Sequence, residues 1–133
     1  MLNKEKMDII KLTKDNIENF LDENWNVTIN WHCEIVDDIE LKKIKVTGNI
    51  FGEGNIVAIE DIEAWWCINA RGYIEAWGNI EAWENADYWE NIEAWGKIEA
   101  WGYINARGNV VAIGDIDAKK DIDAWWYILE MQL

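Results

Sequence analysis

Carboxylate side chains recur at a fixed spacing through the last two thirds of the chain. They occupy every eighteenth position in two series, Glu63, Glu81, Glu99 and Asp117, and Glu75 and Glu93. Two carboxylates can act as general acid and base when their surroundings push their pKa values apart. Even repetition gives every carboxylate similar surroundings. The pattern therefore favours an ordered anionic binding surface over a catalytic pair.

Other reactive side chains are scarce. His32 is the only histidine, and it lies outside the regular part of the sequence. A partly buried structural role is the simpler interpretation of such a residue. The sequence has neither a phosphate-binding loop nor a nucleophile elbow, and it has no EF-hand motif. We therefore predict that the protein is not an enzyme, and we expect no catalytic residues, no metal site and no cofactor.

The acidic residues belong to a six-residue repeat that begins at Ile44. Steps of six from Ile44 to Ile128 give fifteen positions, of which thirteen are isoleucine. The consensus is Ile-Glu-Ala-Trp-Gly-Asn, numbered here as positions one to six. Side chains of an extended segment alternate between two faces, so positions one and three point inward and positions two and four outward. Glycine at position five suits a corner with an unusual φ angle, and Asn or Asp at position six tolerates turns.

Such a short period is typical of a β-solenoid. The repeat predicts an all-β fold, a single-stranded β-helix of about five triangular coils over residues 44–133. Residues three repeats apart then lie above one another on three outward faces. Position four reads Thr47, Trp65, Trp83, Trp101 and Lys119 on the first face, Glu53, Arg71, Trp89, Arg107 and Trp125 on the second, and Ile59, Trp77, Trp95, Ile113 and Met131 on the third. We expect stacked indoles on the first face and alternating cation–π contacts on the second.

Residues 1–43 form a separate N-terminal cap in this interpretation. Thr13 is a suitable N-cap for a helix over about 14–24, with Ile17, Phe20 and Leu21 on one side. Ile29, Ile35 and Leu41 repeat the six-residue step three residues out of phase with Ile44. They predict an imperfect first coil, joined by an irregular turn around Asp37 and Asp38. The helix is expected to cover the open end of the solenoid, where strand edges would otherwise be free to pair.

Charge and composition narrow the functional classes. The formal net charge is −14, from 26 acidic residues against 12 lysines and arginines. This argues against direct binding of nucleic acid or of an anionic membrane. No apolar run approaches the roughly 20 residues of a membrane helix, and the N-terminus lacks the apolar core of a signal peptide. The two cysteines, Cys33 and Cys67, fit a reducing compartment, so we expect a cytoplasmic protein of a bacterial host.

The C-terminal end of the repeat is strongly apolar. Trp126, Ile128, Leu129 and Met131 lie close together at the end of the chain. An exposed apolar end indicates a partner or a self-contact. A two-fold contact between such ends closes on itself, whereas a capped N-terminal end blocks head-to-tail growth. We therefore expect a homodimer through the C-terminal coil.

The segments Gly-Asn-Ile-Glu-Ala (78–82) and Gly-Asp-Ile-Asp-Ala (114–118) resemble the repeats of bactofilins. Bactofilins are bacterial cytoskeletal β-helices that polymerise end to end. The resemblance covers roughly residues 44–128 and implies the fold more specifically than the function. It makes a self-assembling structural module one possible role of this protein.

Three functions fit these observations. The first is an acidic protein-binding inhibitor that occupies a basic nucleic-acid-binding surface of a host protein. We expect such an inhibitor to be a phage-encoded anti-defence protein, an anti-CRISPR for example. The contact residues expected for it are Glu63, Glu81, Glu99, Asp117, Glu75 and Glu93, with Trp83 and Trp101 as anchors. The alternatives are the bactofilin-like structural module and a carbohydrate-binding module that uses tryptophan platforms beside carboxylates.

Overall fold

Residues 9–131 are described by the computed structural model as nineteen short β-strands and one 3₁₀ turn, Ile17–Asn19. The strands are β1 (Ile10–Leu12), β2 (Asn26–Ile29), β3 (Cys33–Ile35), β4 (Ile39–Leu41), β5 (Lys43–Val46), β6 (Ile50–Gly52), β7 (Ile56–Ala58), β8 (Ile62–Ala64), β9 (Ile68–Ala70), β10 (Ile74–Ala76), β11 (Ile80–Ala82), β12 (Ala86–Tyr88), β13 (Ile92–Ala94), β14 (Ile98–Ala100), β15 (Ile104–Ala106), β16 (Val110–Ala112), β17 (Ile116–Ala118), β18 (Ile122–Ala124) and β19 (Ile128–Glu130). Each repeat thus consists of a short extended stretch and a corner, as the alternation of the sequence predicted.

The strands form three parallel sheets, one for each side of a solenoid. The first face consists of β2, β5, β8, β11, β14 and β17, the second of β1, β3, β6, β9, β12, β15 and β18, and the third of β4, β7, β10, β13, β16 and β19. Ile80 lies opposite Ile62 on one side and Ile98 on the other, so each strand pairs with the strands three repeats before and after it. The prediction of an all-β parallel β-solenoid is confirmed.

The solenoid has about six coils, so the count of five given for the fold is one too low. The N-terminal strands β2, β3 and β4 form the additional coil, where an imperfect first coil was predicted. This first coil is one residue shorter than the later ones, since Val27 lies opposite Ile44 and Cys33 opposite Ile50. The missing residue falls between Leu41 and Ile44, where one corner is shorter than the others. The turn around Asp38 is regular, which corrects the prediction of an irregular turn there.

The helix predicted over 14–24 is absent. Thr13 does begin a turn, because its hydroxyl oxygen accepts the backbone N–H of Asn16 at 3.1 Å, but only the 3₁₀ turn Ile17–Asn19 follows. The segment is rich in Asn and Asp, which favour turns over helix interiors. Asp22 closes the next turn by accepting the N–H groups of Asn24 and Asn26 at 2.8 and 3.0 Å. The three apolar residues assigned to the helix, Ile17, Phe20 and Leu21, nevertheless pack against the N-terminal end of the core.

Positions one and three build the core. Isoleucine at position one is fully buried through most of the solenoid, as at Ile44, Ile80 and Ile98, and alanine at position three leaves room for it. Burial declines toward the C-terminal end and fails in the last coil, where Ile128 is 45 % exposed because no further coil of the described chain covers it.

The corners are fastened by position six. Asn79 accepts the backbone N–H of Lys97, one coil later, at 2.8 Å, and Asn49 accepts that of Cys67 at the same distance. In the first coil the acceptor is Asp38, which binds the N–H of Asn55 at 2.8 Å. Asn and Asp at this position therefore satisfy backbone donors of the next coil, which is a more specific role than the tolerance of turns that the sequence suggested.

Glycine at position five has a different reason from the one predicted. No glycine of residues 9–131 has a positive φ angle, so unusual backbone geometry is not required. The corners of successive coils lie in close contact instead. A Cβ on Gly96 would stand 2.9 Å from the carbonyl oxygen of Gly78, which is closer than side-chain carbons normally approach.

Candidate protein-binding surface

The predicted acidic column is assembled on the first face. Glu63, Glu81, Glu99 and Asp117 are direct neighbours on β8, β11, β14 and β17. Desolvation by burial, together with the charges of Glu63 and Glu99, raises the pKa of Glu81. Lys97 offsets part of this repulsion, since its Nζ lies 3.7 Å from a carboxylate oxygen of Glu99. Four carboxylates one strand apart thus form a continuous anionic column.

Stacked indoles run beside this column. The rings of Trp65 and Trp83 are 4.9 Å apart and tilted by only 6°, and those of Trp83 and Trp101 are 6.4 Å apart at 23°. The ammonium group of Lys45 lies 5.2 Å from the centre of the Trp65 ring and closes the ladder at its N-terminal end. The ladder predicted from the three-repeat spacing is therefore present, and Trp101, which is 58 % exposed, stands at its open end.

The third face carries a shorter ladder. Trp77 and Trp95 stack at 5.2 Å and 13°, beside the neighbouring carboxylates Glu75 and Glu93. Ile59 stands next to this pair of rings in the same column and is also exposed. The third face is accordingly more apolar than the first, and Glu75 and Glu93 are separated from the acids of the first face by a corner.

Stacking determines what the indoles offer to a ligand. Each ring within a ladder covers the face of its neighbour, so the edges, not the faces, point outward. A sugar ring packs on the face of an aromatic ring, and the faces of Trp65 and Trp83 are occupied. This geometry does not favour the carbohydrate-binding alternative. It leaves hydrophobic ring edges beside an anionic column, whereas the indole N–H of Trp65 is buried.

The second face has the alternating ladder predicted for it. The guanidinium carbon of Arg71 lies 5.4 Å from the centre of the Trp89 ring, and that of Arg107 lies 4.2 Å from the same ring and 5.1 Å from Trp125. Trp89 is thus held between two cations. The acids of this face do not form a continuous column, because Asn69 and Asn105 stand at position two on either side of Asp87.

His32 has a structural role. Its Nδ1 accepts the backbone N–H of Asn49 at 2.9 Å, so it does at this corner what asparagine does elsewhere. Its ring is enclosed by Trp31, Trp66 and Phe51, at centroid distances of 4.3, 5.0 and 6.4 Å, and burial lowers its pKa. The register of Val27 with Ile44 and of Cys33 with Ile50 places His32 at position six of the first coil, a role that the sequence analysis missed.

The predicted dimerisation residues lie together on the last coil. Trp126, Ile128, Leu129 and Met131 are all exposed, and Ile128 and Leu129 belong to β19, the last strand of the third face. The outer edges of β17, β18 and β19 pair with no other strand of residues 9–131. Apolar side chains and open strand edges therefore coincide at this end.

These features define the protein as a parallel β-solenoid with ordered outward ladders, a β-helix repeat protein. No family model, curated protein or solved structure matches the chain. The resemblance to bactofilins is consequently one of fold. Within the part of the chain that the structure describes, no helix has the length and apolar character needed to cross a membrane, and no group of three or more His, Cys, Asp or Glu side chains is arranged to hold a metal ion.

Proposed function

We propose that this protein is an acidic inhibitor that binds a basic, nucleic-acid-binding surface of a host protein. One observation supports this above all: Glu63, Glu81, Glu99 and Asp117 stand in one register-matched column next to a stacked tryptophan ladder. The strand register fixes the spacing of these residues before binding, so part of the ordering cost of association is already met. The charge of the whole chain, −14, steers it toward basic partners.

The column imitates the electrostatic field of a nucleic acid, but it does not match the spacing of the phosphate groups. Adjacent strands are about 4.8 Å apart, which is shorter than the distance between successive phosphates of an extended strand. Repulsion between neighbouring carboxylates at this distance is about 1 kcal/mol per pair in water. A basic groove would relieve that repulsion, and this gain favours binding to a cationic surface over remaining free.

Affinity would come from the tryptophans. Charge complementarity contributes mainly to the rate and orientation of association, whereas buried aromatic side chains dominate binding energy at interfaces. Trp83 and Trp101 present exposed edges directly beside Glu81 and Glu99. They are the proposed anchors, and Glu75 and Glu93 on the third face would extend the contact around the corner.

The test is a charge reversal in the middle of the column. Immobilised protein captures basic nucleic-acid-binding proteins from a bacterial host extract, and added duplex DNA or RNA should displace them. Glu81→Lys combined with Glu99→Lys should abolish capture, and rising salt should weaken capture by the wild type. Glu90→Lys combined with Asp121→Lys is the matched control, because it changes the net charge equally at exposed corner positions. Capture that survives reversal of the column, or that ignores salt, would eliminate this function.

Such a target places the protein in the bacterial cytoplasm, in keeping with two free thiols, Cys33 and Cys67. An anti-defence role, phage-encoded and directed against a nucleic-acid-guided complex such as CRISPR, is the form of this function that we favour.

The second candidate is a self-assembling structural module, which the exposed last coil favours. Its first step would be a homodimer formed through Trp126, Ile128, Leu129 and Met131. The two functions are compatible, because the last coil lies at the end of the solenoid and the acidic column lies along its side.

A further inference from the structure

On the second face, the residue at position two depends on the residue at position four. All seven tryptophans at position four have an acid at position two, two residues earlier. The only two arginines of the chain, Arg71 and Arg107, have Asn69 and Asn105 there instead, each within an Ile-Asn-Ala-Arg-Gly segment. If these arginines served to balance the charge of their own coil, an adjacent glutamate would suit them best. The acid is replaced by a neutral amide at the very positions where it could have neutralised an arginine.

Both guanidinium groups stack on an indole, and neither forms an ion pair with a carboxylate of residues 9–131. The two ion pairs within residues 9–131 join Lys42 to Glu60 and Lys97 to Glu99, so neither arginine takes part in one. Both lie over the ring of Trp89. A guanidinium group held in this way can bind a carboxylate through two parallel N–H donors at a small entropic cost.

Carboxylates also lie on the same face, and Lys11 is the cation that stands opposite Glu34. The neighbouring carboxyl group of Glu53, together with burial, raises the pKa of Glu34, and the charge of Lys11 counteracts part of this effect. Lys11 offsets only part of the effect of Glu53, since the pKa of Glu34 is raised overall. Asp87 lies between the two asparagines in the position-two column. Charges of both signs therefore lie on one flat surface, yet the arginines form no ion pair with these carboxylates.

Their order along the solenoid is self-complementary. From the N-terminal side, position four of four successive coils reads Glu53, Arg71, Trp89 and Arg107, and position two reads Phe51, Asn69, Asp87 and Asn105. Reversing this order places Arg107 opposite Glu53, Arg71 opposite Trp89, and Asn69 opposite Asp87. We propose that the second face binds the same face of a second copy of this chain, about a two-fold axis that runs along the strands between the coils of Arg71 and Trp89.

This axis creates two kinds of contact, each made twice. Arg107 pairs with the carboxylate of Glu53 in the second copy, which separates Glu53 from Glu34. Arg71 contacts the edge of Trp89 in the second copy, and Asp87 of that copy lies beside this contact. An isologous contact of this kind closes after two copies, and it leaves the acidic column of the first face free.

A cleft at the N-terminal end of the face has a matching projection at the C-terminal end. The cleft has a volume of about 380 Å³ and is lined by Ile9, Glu34, Phe51, Gly52, Glu53, Asn69, Arg71 and Trp89. Trp125, at the far end of the same ladder, is 65 % exposed. The two-fold axis brings Trp125 of the second copy to the coil level of Glu34, where its indole can enter the cleft.

The contact is small for a stable protein–protein interface. Six coil levels at about 4.8 Å and short strands give on the order of 400 Å² per copy, about half of the roughly 800 Å² per partner in a standard stable interface. We therefore expect reversible association at high protein concentration.

Sedimentation equilibrium up to millimolar protein in about 0.15 M salt tests the contact. All chains carry Leu129→Asp, which suppresses association through the last coil. Arg107→Glu and Glu53→Arg, each alone, should weaken dimerisation about tenfold or more, and the two together should restore it, because the exchanged charges again face each other. Lys119→Glu is the matched control: it makes the same change of charge on the first face and should leave the dimer intact.

The proposal is overturned by a monomer at every concentration, by single variants that dimerise like the parent, or by failure of the double exchange to restore association. Thermal unfolding of each variant shows whether the fold is retained, and Arg107→Gln replaces Arg107→Glu if the latter unfolds. The result is independent of the inhibitor function, which is tested by capture of basic proteins through another face.

Discussion

Tyr88 and Ala86, two residues apart on β12, have exchanged the side-chain sizes that the repeat assigns to their positions. Ala86 lies between Ile68 and Ile104 in the position-one column, and Tyr88 stands in the alanine column. Tyr88 is 1 % exposed, and its hydroxyl group has no hydrogen-bond partner among residues 9–131. Burial raises its pKa above the ordinary value. The phenol ring therefore fills the space that an isoleucine at 86 would take.

A double-mutant cycle at these two positions should show strong coupling. Ala86→Ile alone overpacks the coil and should cost about 1–3 kcal/mol of unfolding free energy. Tyr88→Ala alone leaves a cavity and should cost about 3–5 kcal/mol. The double variant restores the consensus and removes an unsatisfied buried hydroxyl, so it should be at least as stable as the wild type. Urea unfolding measures all four proteins, and additive losses would show that the two residues do not share one space.

The exchange illustrates which features of the fold could be read from the sequence. A period of two within a period of six determines which side chains point inward and which residues lie above one another. The ladders of Trp65 with Trp83 and of Arg71 with Trp89 were predicted on that basis alone and are present. These contacts could be predicted because each one joins residues three repeats apart, and the spacing alone identifies them.

Features that break the period could not be predicted in the same way. The first coil is one residue short, and nothing in the isolated sequence shows at which corner a residue is missing until Val27 is placed opposite Ile44. The cap around Thr13 was predicted to be a helix, since its apolar spacing suits one. Its many Asn and Asp residues instead form turns with their own backbone, as Asp22 does. The acidic surface was predicted as a column of residues, but whether it binds a partner depends on a molecule that the sequence does not contain.

The inward and outward assignment can be tested by two neighbouring substitutions. Ile80 is fully buried, so Ile80→Lys buries an unpaired charge and should cost more than about 4 kcal/mol, enough to unfold the repeat. Glu81→Lys should change stability by less than about 1 kcal/mol, because it relieves the repulsion between Glu63, Glu81 and Glu99. Thermal unfolding followed by circular dichroism distinguishes them, and equal melting temperatures would contradict the assignment.

His32 should make the stability of the first coil depend on pH. Its folded-state pKa is lowered from the ordinary 6.5 by burial, so the unfolded chain takes up the proton more readily than the folded one. The contribution of His32 is therefore present above about pH 6.5 and is lost as the pH falls through the lowered folded-state value. Protonation also removes the acceptor that binds the N–H of Asn49.

His32→Asn supplies the control for this effect. Asparagine is the acceptor used at the other corners and does not titrate, so the variant should fold and should lose less stability than the wild type on acidification from pH 7 to about pH 5. The pKa values of Glu34 and Glu81 are raised, so these carboxyl groups contribute to the pH dependence of stability with the opposite sign. Their contribution is the same in both proteins and cancels in the comparison. Parallel stability curves for the two proteins would rule out a role for His32 in the pH response.

Association through the last coil is the final prediction. The side chain of Leu129 is exposed on β19, whose outer edge is unpaired within residues 9–131. Two copies related by a two-fold axis across the solenoid end can pair these edges in antiparallel fashion, because the axis reverses the direction of the facing strand. In a chain that carries Arg107→Glu, which removes the contact proposed for the second face, light scattering should give the mass of a dimer, and adding Leu129→Asp should give mainly monomer. Ile59→Asp is the matched control, since it places the same charge at an exposed apolar position of the third face near the other end of the solenoid. A monomer of the Arg107→Glu chain at high concentration would remove this dimer, and a filament would make the structural-module function the leading one.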